Sequence, residues 1–172
     1  MGDVKSINEL NADLFSPEEV ERFSNPLEAR KKAMDYLARR EYGRQELIRK
    51  LALAGFETDI SQAAVEQLSN EGLQDDRRFV ENFVQSRIGQ GKGPVRIELD
   101  LGERGLDSGL INEVLIASRQ DWSELARDVR RKKFGQNLPD DFKAKAKQMR
   151  FLQYRGFEQA EVQAAVSSHG DD

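Results

Sequence analysis

The segment Leu51-Ala52-Leu53-Ala54-Gly55-Phe56 is the most informative about the fold, because its pattern returns twice further along the chain. Leucine, glycine and a following large apolar residue recur in Leu101-Gly102-Glu103-Arg104-Gly105-Leu106 and in Leu152-Gln153-Tyr154-Arg155-Gly156-Phe157, with successive glycines 50 and 51 residues apart. A helix that ends at a glycine with positive φ, followed by an apolar residue that points back into the core, explains the pattern. Repetition at a fixed period is typical of modular helical arrays. We therefore predict three tandem units in which Gly55, Gly105 and Gly156 form turns.

The predicted architecture is all-α, because no segment shows convincing period-two alternation. We expect an elongated array of three tandem three-helix repeats, covering residues 29–72, 73–119 and 120–169. An acidic N-terminal extension, residues 1–28, precedes them and is predicted to hold a short helix near residues 17–24. Its first 15 residues lack helical periodicity and are expected to form a mobile tail.

Capping residues and prolines predict where several helices begin and end. The first helix of repeat 1 is expected over residues 27–41, and Ser108 is expected to cap the last helix of repeat 2. Pro139 is expected to start the middle helix of repeat 3. Apolar spacing predicts the inward residues of repeat 3: Trp122, Leu125, Ala126 and Val129 in its first helix, and Phe142, Ala146 and Met149 in its middle helix.

Composition excludes several classes of protein. The 172 residues include no cysteine, which rules out disulfides, thiolate metal sites and cysteine nucleophiles. No apolar run approaches the roughly 20 residues needed to cross a bilayer, and no secretory signal is visible, so a soluble cytoplasmic protein is expected. The net charge of −4 reflects seven carboxylates against two basic side chains in residues 1–28, and the remainder is close to neutral. Contact with a polyanion would therefore have to come from a local basic cluster.

The glycine-rich loop, residues 89–94, first suggests a phosphate cradle. A Walker loop requires serine or threonine directly after Gly-Lys, whereas here Gly93 follows Lys92, so we predict a flexible turn between helices and no nucleotide site. His169, the only histidine, has no partner pattern around it. Because no nucleophile, base and orienting group emerge together, we predict a protein that is not an enzyme and that has no cofactor or metal.

Three basic clusters are the candidate binding residues. They are Arg39, Arg40 and Arg44 in repeat 1; Arg127, Arg130, Arg131, Lys132 and Lys133 in the first helix of repeat 3; and Lys143, Lys147 and Arg150 in its middle helix. Each cluster by itself could be a solvated helix face. Two clusters in one unit favour a shared patch for phosphates or for an acidic protein surface, because their helices are expected to pack together.

Read as whole motifs, the units resemble the RecX family of bacterial regulators of the RecA recombinase. The resemblance spans about residues 29–168 and leaves out the acidic extension. It rests on these strings: Arg39-Arg40-Glu41-Tyr42-Gly43-Arg44 with Glu46-Leu47 and Lys50-Leu51; Asp75-Asp76 with Arg78-Phe79 and Arg87; Gly91, Gly93-Pro94 and Arg104-Gly105; and Arg150-Phe151-Leu152 with Arg155-Gly156-Phe157.

The resemblance implies a monomer that lies in the helical groove of a RecA filament on single-stranded DNA. There it would limit filament growth and depress ATP hydrolysis, strand exchange and repressor cleavage, with at most weak direct contact to DNA and none to a membrane. The alternative is a stand-alone helical DNA-binding regulator, although the sequence shows no helix rich in exposed base-reading side chains. A third interpretation, an inert helical scaffold, leaves the basic clusters unexplained.

Overall fold

The computed structural model describes residues 14–167, and within that range it contains ten α-helices and no strand. The helices are α1 (Pro17–Phe23), α2 (Pro26–Leu37), α3 (Arg44–Leu53), α4 (Thr58–Asn70), α5 (Asp76–Gly89), α6 (Pro94–Glu103), α7 (Ser108–Ala117), α8 (Trp122–Phe134), α9 (Phe142–Tyr154) and α10 (Gln159–Val166). The prediction of an all-α protein is confirmed. The expected mobile tail lies almost entirely outside the described residues, and so does His169.

The chain divides into two compact units, Met1–Asp76 and Arg77–Asp172. The first unit contains repeat 1, and the second contains repeats 2 and 3 together. The three glycines of the repeated motif have φ angles of +111° at Gly55, +81° at Gly105 and +94° at Gly156. In each repeat the residue after the glycine, Phe56, Leu106 or Phe157, is buried. The same turn therefore closes each repeat.

The core of the first unit is formed by α2, α3 and α4. Its buried residues are Ala29, Ala33, Tyr42, Leu47, Ile48, Leu51, Phe56, Ala64, Val65 and Leu68. Helix α1 also contributes, because the Phe23 ring packs edge-on against Phe56 with centroids 5.4 Å apart. A Cβ atom on Gly55 would lie 2.7 Å from that ring, so the glycine leaves room for Phe23. The described part of the N-terminal region is thus docked on repeat 1.

Helix α2 is shorter than predicted, since it ends at Leu37 and a turn follows over residues 38–40. Tyr42 is only 5% exposed, and the chain leaves the helix before it so that this side chain can enter the core. Gly43, which precedes α3, has no side-chain cap. The Asp76 carboxylate caps α3 instead, because its Oδ1 accepts a 2.7 Å hydrogen bond from the Arg44 N–H.

The second unit has two hydrophobic clusters. The repeat 2 cluster contains Phe79, Val80, Phe83, Val84, Ile97, Leu101, Leu106, Ile111 and Val114. The repeat 3 cluster contains Ala126, Val129, Leu152, Phe157, Val162, Ala165 and Val166. Trp122, the first residue of α8, was predicted on the inward face of repeat 3, but it packs against the repeat 2 cluster. Repeats 2 and 3 therefore share apolar contacts.

Two helix starts in this unit differ from the predictions, and at both of them an aspartate side chain caps the helix. Asp107, and not Ser108, caps α7, and its Oδ2 accepts from the Leu110 N–H at 3.0 Å. Helix α9 begins at Phe142, three residues after Pro139, where the Asp141 carboxylate accepts from the Ala144 N–H at 2.6 Å. A carboxylate at this position satisfies an amide that has no partner within the helix.

The later start of α9 accompanies a different inward face. Phe142 is 86% exposed, whereas Gln148 and Leu152 are buried. Met149 packs partly against the repeat 3 cluster. Of the predicted stripe, Met149 alone packs on this cluster: Ala146 is half-buried and is not among the cluster's residues, and Phe142, the first residue of α9, is exposed.

The glycine-rich loop is an ordered junction between repeats 2 and 3, which corrects the prediction of a flexible turn. The Gly93 N–H donates to the Arg155 carbonyl at 2.9 Å, and the Val95 N–H donates to the Gly156 carbonyl at 3.0 Å. In return the Arg155 guanidinium donates to the backbone carbonyls of Gly91, at 3.2 Å, and Gln90. A Cβ on Gly93 would lie 2.3 Å from the Gly156 carbonyl, so this contact between two backbones requires glycine.

Candidate binding surfaces of repeat 3

Arg130 belongs to the predicted basic patch, but the structure places it in the interior. It is 2% exposed, and its guanidinium donates to the carbonyls of Asn137, at 3.0 Å, and Gln136, at 3.3 Å. A longer contact of 3.5 Å reaches Oε1 of Gln148 on α9. Burial lowers the pKa of Arg130 from its ordinary value. Arg130 therefore holds the loop between α8 and α9, and its removal from the binding surface corrects the sequence prediction.

Arg127 and Arg131 are neutralised by carboxylates of their own helix. Glu124 accepts from Arg131 at 2.9 Å and from Arg127 at 3.0 Å, and Asp128 accepts from Arg131 at 2.8 Å. The hydrogen bond from Arg131, followed by the one from Arg127, lowers the pKa of Glu124 below its ordinary value of 4.5. Three of the five predicted cations of α8, namely Arg127, Arg130 and Arg131, therefore have hydrogen-bond partners within the protein.

The remaining cations of α8, Lys132 and Lys133, are exposed, and neither has an ion pair within residues 14–167. Both line a cleft of about 250 Å³, which we call the α8 cleft. Its other lining residues are Gly89, Gln90, Gly91, Val129, Phe151 and Arg155. The Phe151 ring packs edge-on against Phe134, with centroids 5.3 Å apart, so α8 and α9 fix the aromatic wall together. The cleft could accept an anion beside an apolar surface.

The glycine loop contributes no anion-binding amides to this cleft. The N–H groups of Gln90, Gly91, Lys92 and Gly93 all donate to backbone carbonyls at distances of 2.9–3.2 Å. A phosphate cradle needs such groups unpaired and converging on one point. Any anion in the α8 cleft would therefore be held by the side chains of Lys132, Lys133 and Arg155 and not by the loop backbone.

Helix α9 carries the second set of cations without ion pairs. Its sequence from Phe142 to Tyr154 contains no aspartate or glutamate, and it includes Lys145 in addition to the predicted Lys143, Lys147 and Arg150. Within the described chain none of these four side chains forms an ion pair with a carboxylate. Lys145 lies outside the spacing of i, i+4 and i+7 that defines the predicted cluster. The absence of acidic residues from the whole helix was the signal that could have found it.

Lys145 and Arg150 line a groove of about 430 Å³, which we call the α9 groove. Phe142, Ala146, Met149 and Gln153 of α9 and Gln163 of α10 complete it. Lys143 and Lys147 are exposed but are not among its lining residues. Lys132 and Lys133 share a cleft with Arg155 and not with the lysines of α9, so the cations of the two helices do not line one common pocket.

The basic cluster of repeat 1, formed by Arg39, Arg40 and Arg44, lies in the first unit near two tyrosines. Arg40 pairs with Glu46 at 2.7 Å, and its guanidinium lies 3.7 Å from the centre of the Tyr42 ring. Lys50, which was not among the predicted binding residues, has its Nζ 4.7 Å from the Tyr36 ring centre. Such cation–π contacts hold the charges in place near the surface. Arg39 is exposed in the turn after α2, and Arg44 is the first residue of α3.

The described residues offer little for metal chemistry or membrane insertion. Among residues 14–167 no group of three or more histidine, cysteine, aspartate or glutamate side chains is placed to hold a metal ion. In the same range no helix is both long and apolar enough to cross a membrane.

Comparison with known families identifies the repeats. Residues 29–68 match the sequence model of the first three-helix domain of RecX, residues 75–115 match that of the second, and residues 120–166 match that of the third. The chain is 45% identical over 135 residues to the regulatory protein RecX of Xanthomonas axonopodis pv. citri, a match that covers 78% of this chain and 83% of that protein. It is 43% identical over 143 residues to the regulatory protein RecX of Pseudomonas fluorescens, covering 83% of this chain and 92% of that one.

Solved structures show the same fold. A crystal structure of regulatory protein RecX superposes with a TM-score of 0.71 at 19% identity, and the match covers 86% of this chain and 74% of the other. The crystal structure of RecX from Lactobacillus salivarius gives 0.70 at 20% identity, with coverage of 82% and 94%. The fold is therefore retained where most side chains differ.

Proposed function

This chain belongs to the RecX family, and we propose that it regulates the RecA recombinase by binding in the groove of the RecA filament on DNA. Bound there, it limits filament growth and lowers the ATPase, strand-exchange and SOS co-protease activities of RecA. The observation that carries the proposal is the match to all three RecX domains in their order along the chain, from residue 29 to residue 166. Such a regulator works in the cytoplasm as a monomer.

The binding surfaces of repeat 3 support inhibition by contact. Lys132 and Lys133 on α8 and Lys143 and Lys147 on α9 are exposed cations that can face acidic protein surface or DNA phosphate. A chain of tandem repeats can make several weak contacts at once, and these strengthen one another through effective concentration. No chemistry by the regulator itself is needed, because occupying the groove is enough to hinder the addition of RecA subunits.

Filament co-sedimentation tests the proposal directly. The protein is mixed with RecA and poly(dT) in the presence of a non-hydrolysable ATP analogue, and the pellet is analysed. We expect retention with RecA and DNA together, and little retention with either alone. Inhibition of RecA ATPase should follow the same titration.

The alternative, a stand-alone DNA-binding regulator, gives the opposite result in the same experiment. Retention on DNA without RecA, unchanged when RecA is added, would favour it. Retention without any effect on RecA ATPase would contradict the inhibitory part of the proposal. Both measurements should be repeated at two salt concentrations, because phosphate contacts weaken steeply as salt rises.

A further inference from the structure

The α9 groove has an apolar floor and basic walls. Ala146 and Met149 lie at i and i+3 on α9, and Phe142 precedes them at one end, where it is 86% exposed. From Phe142 to Gln153 the helix advances about 16 Å at about 1.5 Å per residue. An extended peptide of about five residues, at about 3.3 Å each, spans that length. The groove is therefore long enough to hold a short segment of another chain.

The charge around this groove has one sign. Lys145 and Arg150 are lining residues, no carboxylate lines the groove, and neither cation has an ion pair within residues 14–167. On α8, by contrast, Glu124 and Asp128 neutralise the neighbouring arginines. The protein has a net charge of −4, yet helix α9 contains no acidic residue. Its unpaired cations lie beside an apolar floor. This combination selects for negative charge together with an apolar group.

We propose that the α9 groove binds an acidic peptide segment that carries one large apolar side chain. The apolar side chain rests on Ala146 and Met149, and carboxylates on either side of it pair with Lys145 and Arg150. Gln153 and Gln163 can hydrogen-bond to the backbone of the segment at the far end. This surface goes beyond the proposed function, since it requires neither a RecA filament nor DNA.

Protein fits this groove better than single-stranded nucleic acid does. Strands without sequence preference are held by several aromatic rings on which successive bases stack. The α9 groove has only one ring among its lining residues, Phe142, and its floor consists of the aliphatic side chains of Ala146 and Met149. An aliphatic floor accommodates a leucine or phenylalanine side chain, and it offers no flat face to a base.

Titration of the full-length, ¹⁵N-labelled protein with a synthetic peptide tests the inference. The probe is the pentapeptide Glu-Asp-Phe-Asp-Glu, and the comparison peptide Glu-Asp-Gly-Asp-Glu has the same charge without the apolar side chain. An oligothymidylate is the nucleic-acid arm. We expect amide shift changes on α9 and near Gln163 with the phenylalanine peptide, and at least about fivefold weaker binding of the glycine peptide, because removing a buried aromatic side chain costs 1 kcal/mol or more.

Two double variants with equal changes in net charge separate the groove from general attraction. Lys145→Glu with Arg150→Glu should weaken binding of the phenylalanine peptide at least about tenfold, since it reverses both contacting charges. Lys143→Glu with Lys147→Glu alters exposed cations of the same helix outside the groove, and at physiological salt it should change affinity by less than about threefold. All four positions lie outside the buried core, and retained peak dispersion will verify the fold.

Several results would overturn the inference. Equal weakening by both double variants would show that binding depends on net charge and not on the groove. Equal affinity for the two peptides would show that the apolar floor does not contribute to binding. Oligothymidylate bound at α9 more tightly than the phenylalanine peptide would make the groove a nucleic-acid surface. Shift changes elsewhere, or none at all, would refute it outright. None of these results bears on filament binding, which is measured separately.

Discussion

The run Arg130-Arg131-Lys132-Lys133 shows how four similar residues acquire three different roles within little more than one turn of helix. Arg130 is buried against loop carbonyls, Arg131 is paired with two carboxylates, and Lys132 and Lys133 are exposed. An arginine can be buried in this way because its guanidinium presents several donors in a fixed plane. Because the residue types alone do not distinguish these roles, the sequence predicts one basic patch over the whole run.

Substitution of Arg130 should therefore affect folding. We expect Arg130→Glu to lower the free energy of unfolding by more than about 3 kcal/mol, since it places a carboxylate among backbone carbonyls without a compensating donor. Lys132→Glu, two residues on and exposed, should change it by no more than about 0.5 kcal/mol. Urea unfolding monitored by Trp122, the only tryptophan, reports on the second unit. Similar stability of the two variants would show that Arg130 is not a structural residue.

Glu161 gives a prediction about pH. The residue is buried in α10, where its Oε2 accepts a 2.7 Å hydrogen bond from the Glu158 N–H, and burial raises its pKa above the ordinary 4.5. Between the unfolded and the raised folded pKa the native state binds more protons, so this group makes stability fall as pH rises through that window. Glu161→Gln keeps an acceptor without the charge. The stability of the variant relative to that of the wild type should therefore increase from pH 4 to pH 7.

The gain is measured by urea unfolding of both proteins at the two pH values. The two stabilities should converge at the acid end, where Glu161 is protonated in both the folded and the unfolded wild type. A difference between the proteins that does not vary with pH would mean that folding does not raise the pKa of Glu161.

At the scale of elements, the glycine-rich loop and the turn at Gly156 function as one junction. Helix α6 starts where the backbone of Gly93 touches the backbone of Gly156, and Arg155 completes the contact from the other side. Gly156 needs glycine for two reasons, because its φ is +94° and because a Cβ there would lie 2.3 Å from the Cβ of Arg96. The repeated motif predicts the turn, whereas its second role, as a docking point for repeat 2, comes from packing.

Replacement of Gly93 by alanine tests the junction. A Cβ has no room there, so we expect Gly93→Ala to cost about 1–3 kcal/mol, in the range of overpacked cores. Gly102→Ala is the matched control, because Gly102 is exposed within α6 and nothing lies within 4 Å of a Cβ added there, so alanine should stabilise by up to about 1 kcal/mol. Calorimetric melting of both variants distinguishes them. A neutral Gly93→Ala would mean that the two backbones separate easily.

At the scale of the whole molecule, binding to a filament should depend on exposed cations and not on the full set read from the sequence. We expect Lys143→Glu with Lys147→Glu to reduce co-sedimentation with RecA on DNA about five- to tenfold at low salt, and less at high salt, because the contacts are screened. Both positions are exposed, so the fold should be unaffected. The prediction leaves out Arg130, where charge reversal would unfold the unit.

The control for this variant carries the same change in net charge elsewhere. Lys31 on α2 and Arg49 on α3 are exposed residues outside the predicted clusters, and Lys31→Glu with Arg49→Glu should leave co-sedimentation nearly unchanged. If both double variants bind equally weakly, net charge and not the surface of α9 governs the interaction. If both bind as wild type does, α9 is not a filament contact.

The amino-acid sequence alone is sufficient to predict the helical class, the three repeats and the turn at each glycine. These features depend on local spacing of apolar residues and on backbone angles that glycine alone adopts readily. It also carried the family motifs, since these are strings of neighbouring residues. Helix ends were less well predicted where an aspartate competed with serine or proline for the cap, as at Asp107 and Asp141.

Tertiary packing sets which cations are available and what the glycine-rich loop does. The burial of Arg130 depends on carbonyls six and seven residues away, and the role of Gly93 depends on Gly156, which is distant in sequence. The α9 groove likewise needs Gln163 of α10 beside α9. Charge and glycine content are properties of the sequence, but exposure and close backbone contact are set by the elements that pack around each residue.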